Sequence, residues 1–256
     1  MLVNSRKLLF FDYDGTLSYN DQLPSARTVK ALNEAKSVGY NIFICTGRCN
    51  AFLPKIDGIK FDGVVAAAGA RITIGDELLF EATLTNEQII KYLKLAYSKG
   101  LIGALEGRDN MIIFGQVPKT ESRFSKYKCI SSPEDFSERF SDERINKFSL
   151  WGETNIDFLK EGQKDFFVVD HGHASEYIPL GCSKSFGMKR VADYYGLEIA
   201  DTISFGDSFN DLDMLKAAGI GVAMGNAPDV VKASADVVTD SVESDGVAIW
   251  IENNLF

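Results

Sequence analysis

The feature that most constrains the fold is the stretch LLFFDYDGTLS, Leu8 to Ser18. Four apolar residues run without interruption into two carboxylates, Asp12 and Asp14, followed by Gly15 and Thr16. A continuous apolar run of this length reads as a strand buried on both faces of a parallel sheet. In open parallel sheets, ligands bind beyond the carboxyl ends of the strands, which is where these acids fall. The same arrangement recurs along the chain. Pro24 and Ser25 open a helix with apolar positions at Val29, Leu32 and Ala35, and Gly39 stops it. A second strand, YNIFIC, ends at Thr46-Gly47-Arg48, and a third, GVVAAAG, ends at Ala68-Gly69. RITIGDELLF then reads as a hairpin around Gly75-Asp76.

A different pattern begins near Thr85. Thr85 and Gln88 form a capping box, and Ile89, Ile90, Leu93, Ala96 and Tyr97 follow at helical spacing. LIGALEG and NMIIFG read as adjacent strands, followed by a polar helix at Pro133–Phe140 and the strand NKFSLW. A short helix at Asn155–Lys160 and the strands DFFVVDH and EYIPL close the segment. From Ser183 the first style returns: a helix at Met188–Tyr195, the strand TISFG meeting Asp207, and the helix NDLDMLKAAG. The strand IGVAMG then meets Asn226, Pro228 opens a helix, and ADVVT is a last strand. The expected fold is α/β, a Rossmann-like doubly wound parallel sheet (residues 1–81 and 180–256) interrupted by an α+β insert (residues 82–179).

Composition narrows the function. The 256 residues carry a formal net charge of -9, which argues against a nucleic-acid partner, since phosphate backbones are bound through basic patches. No apolar run approaches the roughly 18 residues of a membrane span. The apolar run after Arg6 and Lys7 is too short for a signal peptide, so a cytoplasmic protein is expected. Cys45, Cys49, Cys129 and Cys182 form no CxxC pair and read as reduced thiols. Two histidines, His171 and His173, make a histidine-rich zinc site improbable.

Three acids placed after strands, Asp12, Asp14 and Asp207, suit an oxygen cage for a hard cation such as Mg2+. The bland alternative is that the DxD merely caps a turn. An EF-hand loop is ruled out by Leu17 at the position that requires glycine.

DYDGT, TGR, SKS and GDSFND, in this order on these elements, resemble the haloacid dehalogenase superfamily. The tail GVAMGNAPDVVKASADVVTDSVESDGVA is similar to its Cof-type branch, sugar-phosphate phosphatases with a large α/β cap. The resemblance spans nearly the whole chain and is weakest from about Leu84 to Asp170. It implies a Mg2+-dependent phosphatase acting on small phosphate monoesters through an aspartyl phosphate. Asp12 would be the nucleophile and Asp14 the general acid/base. Thr46, Gly47, Arg48, Lys184 and Asn210 would bind phosphate or substrate. Asp12, Asp14 (through its backbone carbonyl), Asp207 and Asp211 would serve the metal. Asn210 and Asp211 could equally be helix caps, and Arg48 could equally be a surface residue. His171, His173, Glu106 and Arg108 are the insert's candidates for touching substrate, against a structural or exposed role.

The sequence departs from the family pattern at Ala68, where relatives carry Asn, at Cys49 after TGR, and at Ser185 after the motif lysine. The other readings are a phosphomutase using the same aspartate chemistry and a non-catalytic sugar-phosphate-binding protein. A small phosphorylated metabolite is the expected partner, and a monomer or weak homodimer the expected state.

Overall fold

A computed structural model describes residues 8–116 and 127–256. In chain order its regular elements begin with β1 (Leu8–Phe11), α1 (Ala26–Ser37), β2 (Asn41–Cys45), β3 (Gly63–Ala66), β4 (Arg71–Ile74) and β5 (Glu77–Glu81). The middle of the chain forms α2 (Asn86–Ser98), β6 (Ile102–Gly107), β7 (Met111–Phe114), β8 (Lys128–Cys129) and α3 (Pro133–Arg139). It continues with β9 (Ile145–Trp151), α4 (Ile156–Gly162), β10 (Phe166–Asp170) and β11 (Ala174–Pro179). The last part is α5 (Lys184–Tyr194), β12 (Thr202–Gly206), α6 (Leu212–Ala217), β13 (Ile220–Ala223), α7 (Asp229–Lys232), β14 (Val237–Val238) and α8 (Gly246–Asn254).

Two compact units result. The first comprises Met1–Arg48, Pro54–Phe80 and Ser183–Phe256, and the second Cys49–Leu53 and Glu81–Cys182. The assignment of Cys49–Leu53 to the second unit has no counterpart in the hydrophobic pattern, which sees no break between Arg48 and Pro54.

The first unit is an eight-stranded sheet in the order β14-β13-β12-β1-β2-β3-β4-β5. Its pairs from β14 to β3 are parallel, and β3 pairs antiparallel with β4. This is the mixed α/β fold expected from the uninterrupted apolar strands. All four residues of β1 are fully buried, because successive side chains go to opposite faces and both faces are covered. Leu8, Phe10, Phe43, Cys45 and Val65 pack with Met188, Val191 and Met214 of α5 and α6. On the other face Phe11 stacks on Phe205, whose ring meets Trp250 of α8 edge-on. Helix α1 starts where Ser25 accepts the Thr28 N–H.

The second unit is a six-stranded sheet, β10-β11-β9-β6-β7-β8, antiparallel except where β8 pairs with β7. Leu105, Phe148, Leu150 and Tyr177 bury with Ile89, Tyr92 and Leu93 of α2 and with Phe136 and Phe158 of α3 and α4. Alternation therefore sends Glu106, Lys147, Ser149 and Glu176 to the opposite face. Glu106 lies directly across from Lys147, and Ser149 across from Glu176. The Thr85–Gln88 capping box opens α2 as expected.

One boundary differs in a way that matters. The apolar spacing places a helix at Met188–Tyr195, yet α5 begins at Lys184, with Ser183 as its N-cap. The first turn holds no apolar periodicity, so only the cap hydrogen bond from the Phe186 N–H to Ser183 marks the true start.

Candidate active site

The carboxyl ends of β1, β2 and β12 and the start of α5 bring four distant pieces of chain together. At the end of β1, Asp12 is 4% exposed and donates its backbone N–H to the Phe205 carbonyl of β12. Lys184, 1% exposed, reaches Asp12 Oδ1 at 2.6 Å and Asp211 Oδ1 at 2.5 Å. Asp211 is fully buried, and its Oδ2 accepts the backbone N–H groups of Asp207 and Ser208, both at 2.9 Å. Its two oxygens therefore fix both the lysine and the turn after β12.

Asp207 is held more loosely. Thr16 Oγ1 and Asn226 Nδ2 each approach it at 3.3 Å, and Asn226 also binds the Gly15 carbonyl at 2.9 Å. Gly15 adopts φ +79°, and a Cβ there would lie 2.1 Å from Asp207 Oδ2. Glycine is thus required for conformation and for space.

Among the described residues, Asp12, Asp207 and Asp211 offer ligand oxygens that all lie within 4.8 Å of one another. One ammonium faces three carboxyls, which leaves the group short of positive charge. Burial, then the charges of Asp211 and Asp207, push the Asp12 carboxyl well above its ordinary range despite Lys184. Burial and Asp211 push Asp207 up to about 7. Burial opposes the Lys184 charge, but Asp12 and Asp211 outweigh it and hold the ammonium protonated. Hard oxygen donors that are close, buried and under-compensated fit a divalent cation. Asp12 Oδ2 takes part in none of these bonds and the two on Asp207 are long, at 3.3 Å, whereas each Asp211 oxygen accepts a bond of 2.9 Å or less.

The side chain of Asp14 stands apart from this group. It is half-exposed and receives a two-pronged ion pair from Arg48, Nε to Oδ2 at 2.7 Å and Nη2 to Oδ1 at 2.5 Å. Arg48 also pairs with Asp21 at 2.9 Å and lies over the Tyr13 ring at 5.1 Å. Arg48 is thus neither a loose surface residue nor directed at the acid cluster. It anchors Asp14. Thr46 is buried at the end of β2, and its Oγ1 accepts the Arg48 N–H at 3.1 Å. Gly47 lies between them, half-buried. Lys184 is bonded to Asp12 and Asp211, while Asn210 turns to Ser208, its Oδ1 accepting from Ser208 Oγ at 2.6 Å.

Of the insert's candidates, Arg108 is exposed and pairs with its neighbour Asp109. His173 is exposed, whereas His171 Nε2 lies 3.2 Å from Glu176 Oε1. Glu106 belongs to a buried set: Lys147 contacts Glu176 at 2.5 Å and Glu106 at 3.5 Å, and Ser149 donates to Glu106. Burial raises Glu106, while Lys147 and His171 overcome burial to lower Glu176 to about 2. The closer cation accounts for the difference between the two acids.

Asn226 and Asp21 join the site without being singled out by the sequence motifs. Asn226 lies three residues past the end of β13, and its place in the loop after an apolar strand is a usable signal. Asp21 lies in a loop with no pattern.

The three-acid group, the lysine and the strand-end loops lie on a chain that is similar to known phosphatases. The chain is 30% identical over 252 residues to the 5-amino-6-(5-phospho-D-ribitylamino)uracil phosphatase YcsE of Bacillus subtilis (strain 168), covering 94% of this chain and 93% of that one. It is 27% identical over 241 residues to a phosphoglycolate phosphatase of Methanothermobacter thermautotrophicus, covering 93% of each. Among solved structures, a haloacid dehalogenase subclass IIB sugar phosphatase superposes with a TM-score of 0.83 at 26% identity, over 96% of this chain and 98% of that one. A phosphatase of the same superfamily from Bacteroides thetaiotaomicron gives 0.85 at 28% identity, over 97% and 94%. The family model for haloacid dehalogenase-like hydrolases matches residues 9–251, and the chain belongs to that family.

Proposed function

We propose that the protein is a Mg2+-dependent phosphatase of small phosphate monoesters, sugar phosphates foremost, with Asp12 as its nucleophile. The observation that carries this reading is the buried Asp12–Lys184 contact at 2.6 Å within the three-acid group. Asp12, Asp207 and the backbone carbonyl of Asp14 would hold the cation, with Asp211 beside it. When bound, the cation supplies the charge compensation that keeps Asp12 ionised and draws in an anionic phosphate.

Asp12 attacks phosphorus as the bond from phosphorus to the ester oxygen breaks, and Asp14, once it has taken a proton from solvent and one Arg48 bond has opened, protonates the departing alcohol. Water then attacks the aspartyl phosphate and gives its proton to Asp14, releasing inorganic phosphate and restoring Asp12. Lys184 holds the phosphoryl oxygens and Asp12 in line, and Thr46 and the Gly47 N–H bind the remaining oxygens. Arg48 keeps the Asp14 carboxylate oriented, and Asn210 steadies the turn that carries Asp211.

The insert is proposed to select the substrate. It contributes no acid to the three-membered group, yet it carries its own buried polar face. Cys45, Cys49, Cys129 and Cys182 are all free thiols, which supports action in the reducing cytoplasm. No helix among the described residues is long and apolar enough to cross a membrane. A screen of phosphorylated metabolites with Mg2+, following phosphate release, tests the reading. Sugar phosphates are expected to lead. Absence of turnover on every ester, or undiminished turnover by Asp12→Asn, would overturn it. Substitutions at His171, His173 or Arg108 are expected to reorder relative kcat/KM among small phosphates without removing the Mg2+ requirement.

A further inference from the structure

Lys184 is the first residue of α5, and a lysine is a long, flexible side chain whose head is placed only as well as its base. Its head is fixed by Asp12 and Asp211. Its base is fixed by the same short turn that carries Asp211. Two residues further on, Asp213 Oδ2 accepts the backbone N–H of Ser185 at 2.9 Å. The other oxygen, Oδ1, accepts the N–H of Met214 at 2.9 Å, which locks the carboxylate in place.

The start of α5 has little other freedom. Ser183 Oγ accepts the Phe186 N–H at 3.1 Å, and a Cβ on Gly69 would come within 2.0 Å of the Ser183 carbonyl oxygen. Further along the helix, a Cβ on Gly187 would meet Val65 Cγ1 at 2.3 Å, so α5 lies hard against β3. The N–H of Ser185 is one of the donors that a helix start leaves without an intrahelical acceptor. Asp213 supplies that acceptor from a different element, so one turn grips the lysine at both ends.

We propose that Asp213 is a positioning residue for the reaction: by holding the Ser185 N–H it sets the backbone from which Lys184 reaches Asp12 and the phosphoryl group. This rests on the reading of Asp12 as nucleophile and Lys184 as its partner. Asp213 touches none of the reacting atoms. Its effect runs entirely through the placement of Lys184.

The test is the single-turnover rate constant for phosphorylation of Asp12, measured by rapid quench with an aryl phosphate and Mg2+. That constant belongs to the folded enzyme. A loss of folded protein lowers the amplitude and leaves the rate constant alone, so a merely structural role would not move it. Asp213→Ala is expected to slow phosphorylation about tenfold, as for loss of a hydrogen bond to a charged group. Asp213→Asn keeps an acceptor oxygen and is expected to stay within about threefold of the unaltered enzyme. Should Asp213→Ala fail to fold, Asp213→Glu carries the same test, because the extra methylene displaces the carboxylate from the Ser185 N–H and slowing is again expected. An unchanged rate constant in Asp213→Ala or Asp213→Glu, or equal slowing in Asp213→Asn and Asp213→Ala, overturns the positioning role alone. If the unaltered enzyme forms no phosphoenzyme, the functional reading fails and this inference falls with it.

Discussion

Replacing Asp207 with Asn should abolish activity and yet stabilise the metal-free protein. Burial and the neighbouring Asp211 move the Asp207 carboxyl from 3.8 to about 7. In the unfolded chain it ionises near 3.8, so between 3.8 and about 7 the native state holds the extra proton. Stability from this group is therefore full below 3.8 and falls as the pH rises towards 7. At about 1.4 kcal/mol per pH unit the ionised group costs up to about 4 kcal/mol. Partial solvent screening cuts this to about 2 kcal/mol. The Asp207→Asn change keeps the shape and carries no charge, although one of two acceptor oxygens becomes a donor facing Thr16 or Asn226, a loss of about 1 kcal/mol. A net gain of about 1 kcal/mol corresponds to a rise of about 2–4 °C in Tm for a chain of this size. The assay is thermal unfolding in a chelator at pH 8 and at pH 5, repeated with Mg2+. The Asp207→Asn variant should melt higher at pH 8, show no advantage at pH 5, and fall behind when Mg2+ stabilises the unaltered protein by binding. A variant that melts lower at pH 8 without metal, or whose advantage is the same at both pH values, would refute the claim that Asp207 is an under-compensated charge.

Other outcomes follow from the same geometry. Gly15→Ala drives a methyl into Asp207 Oδ2 and strains a φ of +79°, so turnover should fall at least about tenfold with weakened Mg2+ affinity, read by titrating activity against the metal. Asp12→Asn should show no phosphoenzyme. Asp14→Asn should lose about 10²–10⁴ in kcat while still forming some phosphoenzyme from esters with good leaving groups, a split that rapid quench resolves. In the insert, Lys147→Met leaves Glu106 and Glu176 buried without their cation and should cost about 3–5 kcal/mol in denaturant unfolding, whereas an unchanged midpoint would show those acids to be solvated. Glu176, held near 2 by Lys147 and His171, lends the native state stability that is complete above 4.5 and is lost as the pH falls towards 2, so acid unfolding should shift to higher pH in Glu176→Gln.

The strand LLFF can be read as buried on both faces because it has no polar alternation, and the sheet buries it completely. The acids and Thr46 are legible because a polar group directly after such a strand has one place to go, the carboxyl edge. Their spacing in the chain, together with Lys184, matches a family pattern, and the family assignment stands on the whole chain. Local chemistry near the motifs is legible too: Ser25 opens α1 and Thr85, with Gln88, caps α2.

What tertiary structure decided are relations between residues far apart in sequence, where hydropathy carries no information. Arg48 and Asp14 are 34 residues apart, and only folding makes their two-pronged pair. Asp213 and Ser185 meet across 28 residues because α5 and α6 pack side by side. The start of α5 at Lys184 escapes the apolar spacing because its first turn is fixed by cap hydrogen bonds and by contact with Gly69, not by burial of a stripe. Nothing in the sequence marks Glu106 and Lys147 as a pair, since a charged residue on a strand is usually solvated. They are buried because each has the other directly opposite across β6 and β9, and a charge can leave water only where its partner is already in place. Periodicity shows which side of a strand a residue takes. Which residue waits across from it depends on strand order and register, and these exist only once the sheet has formed.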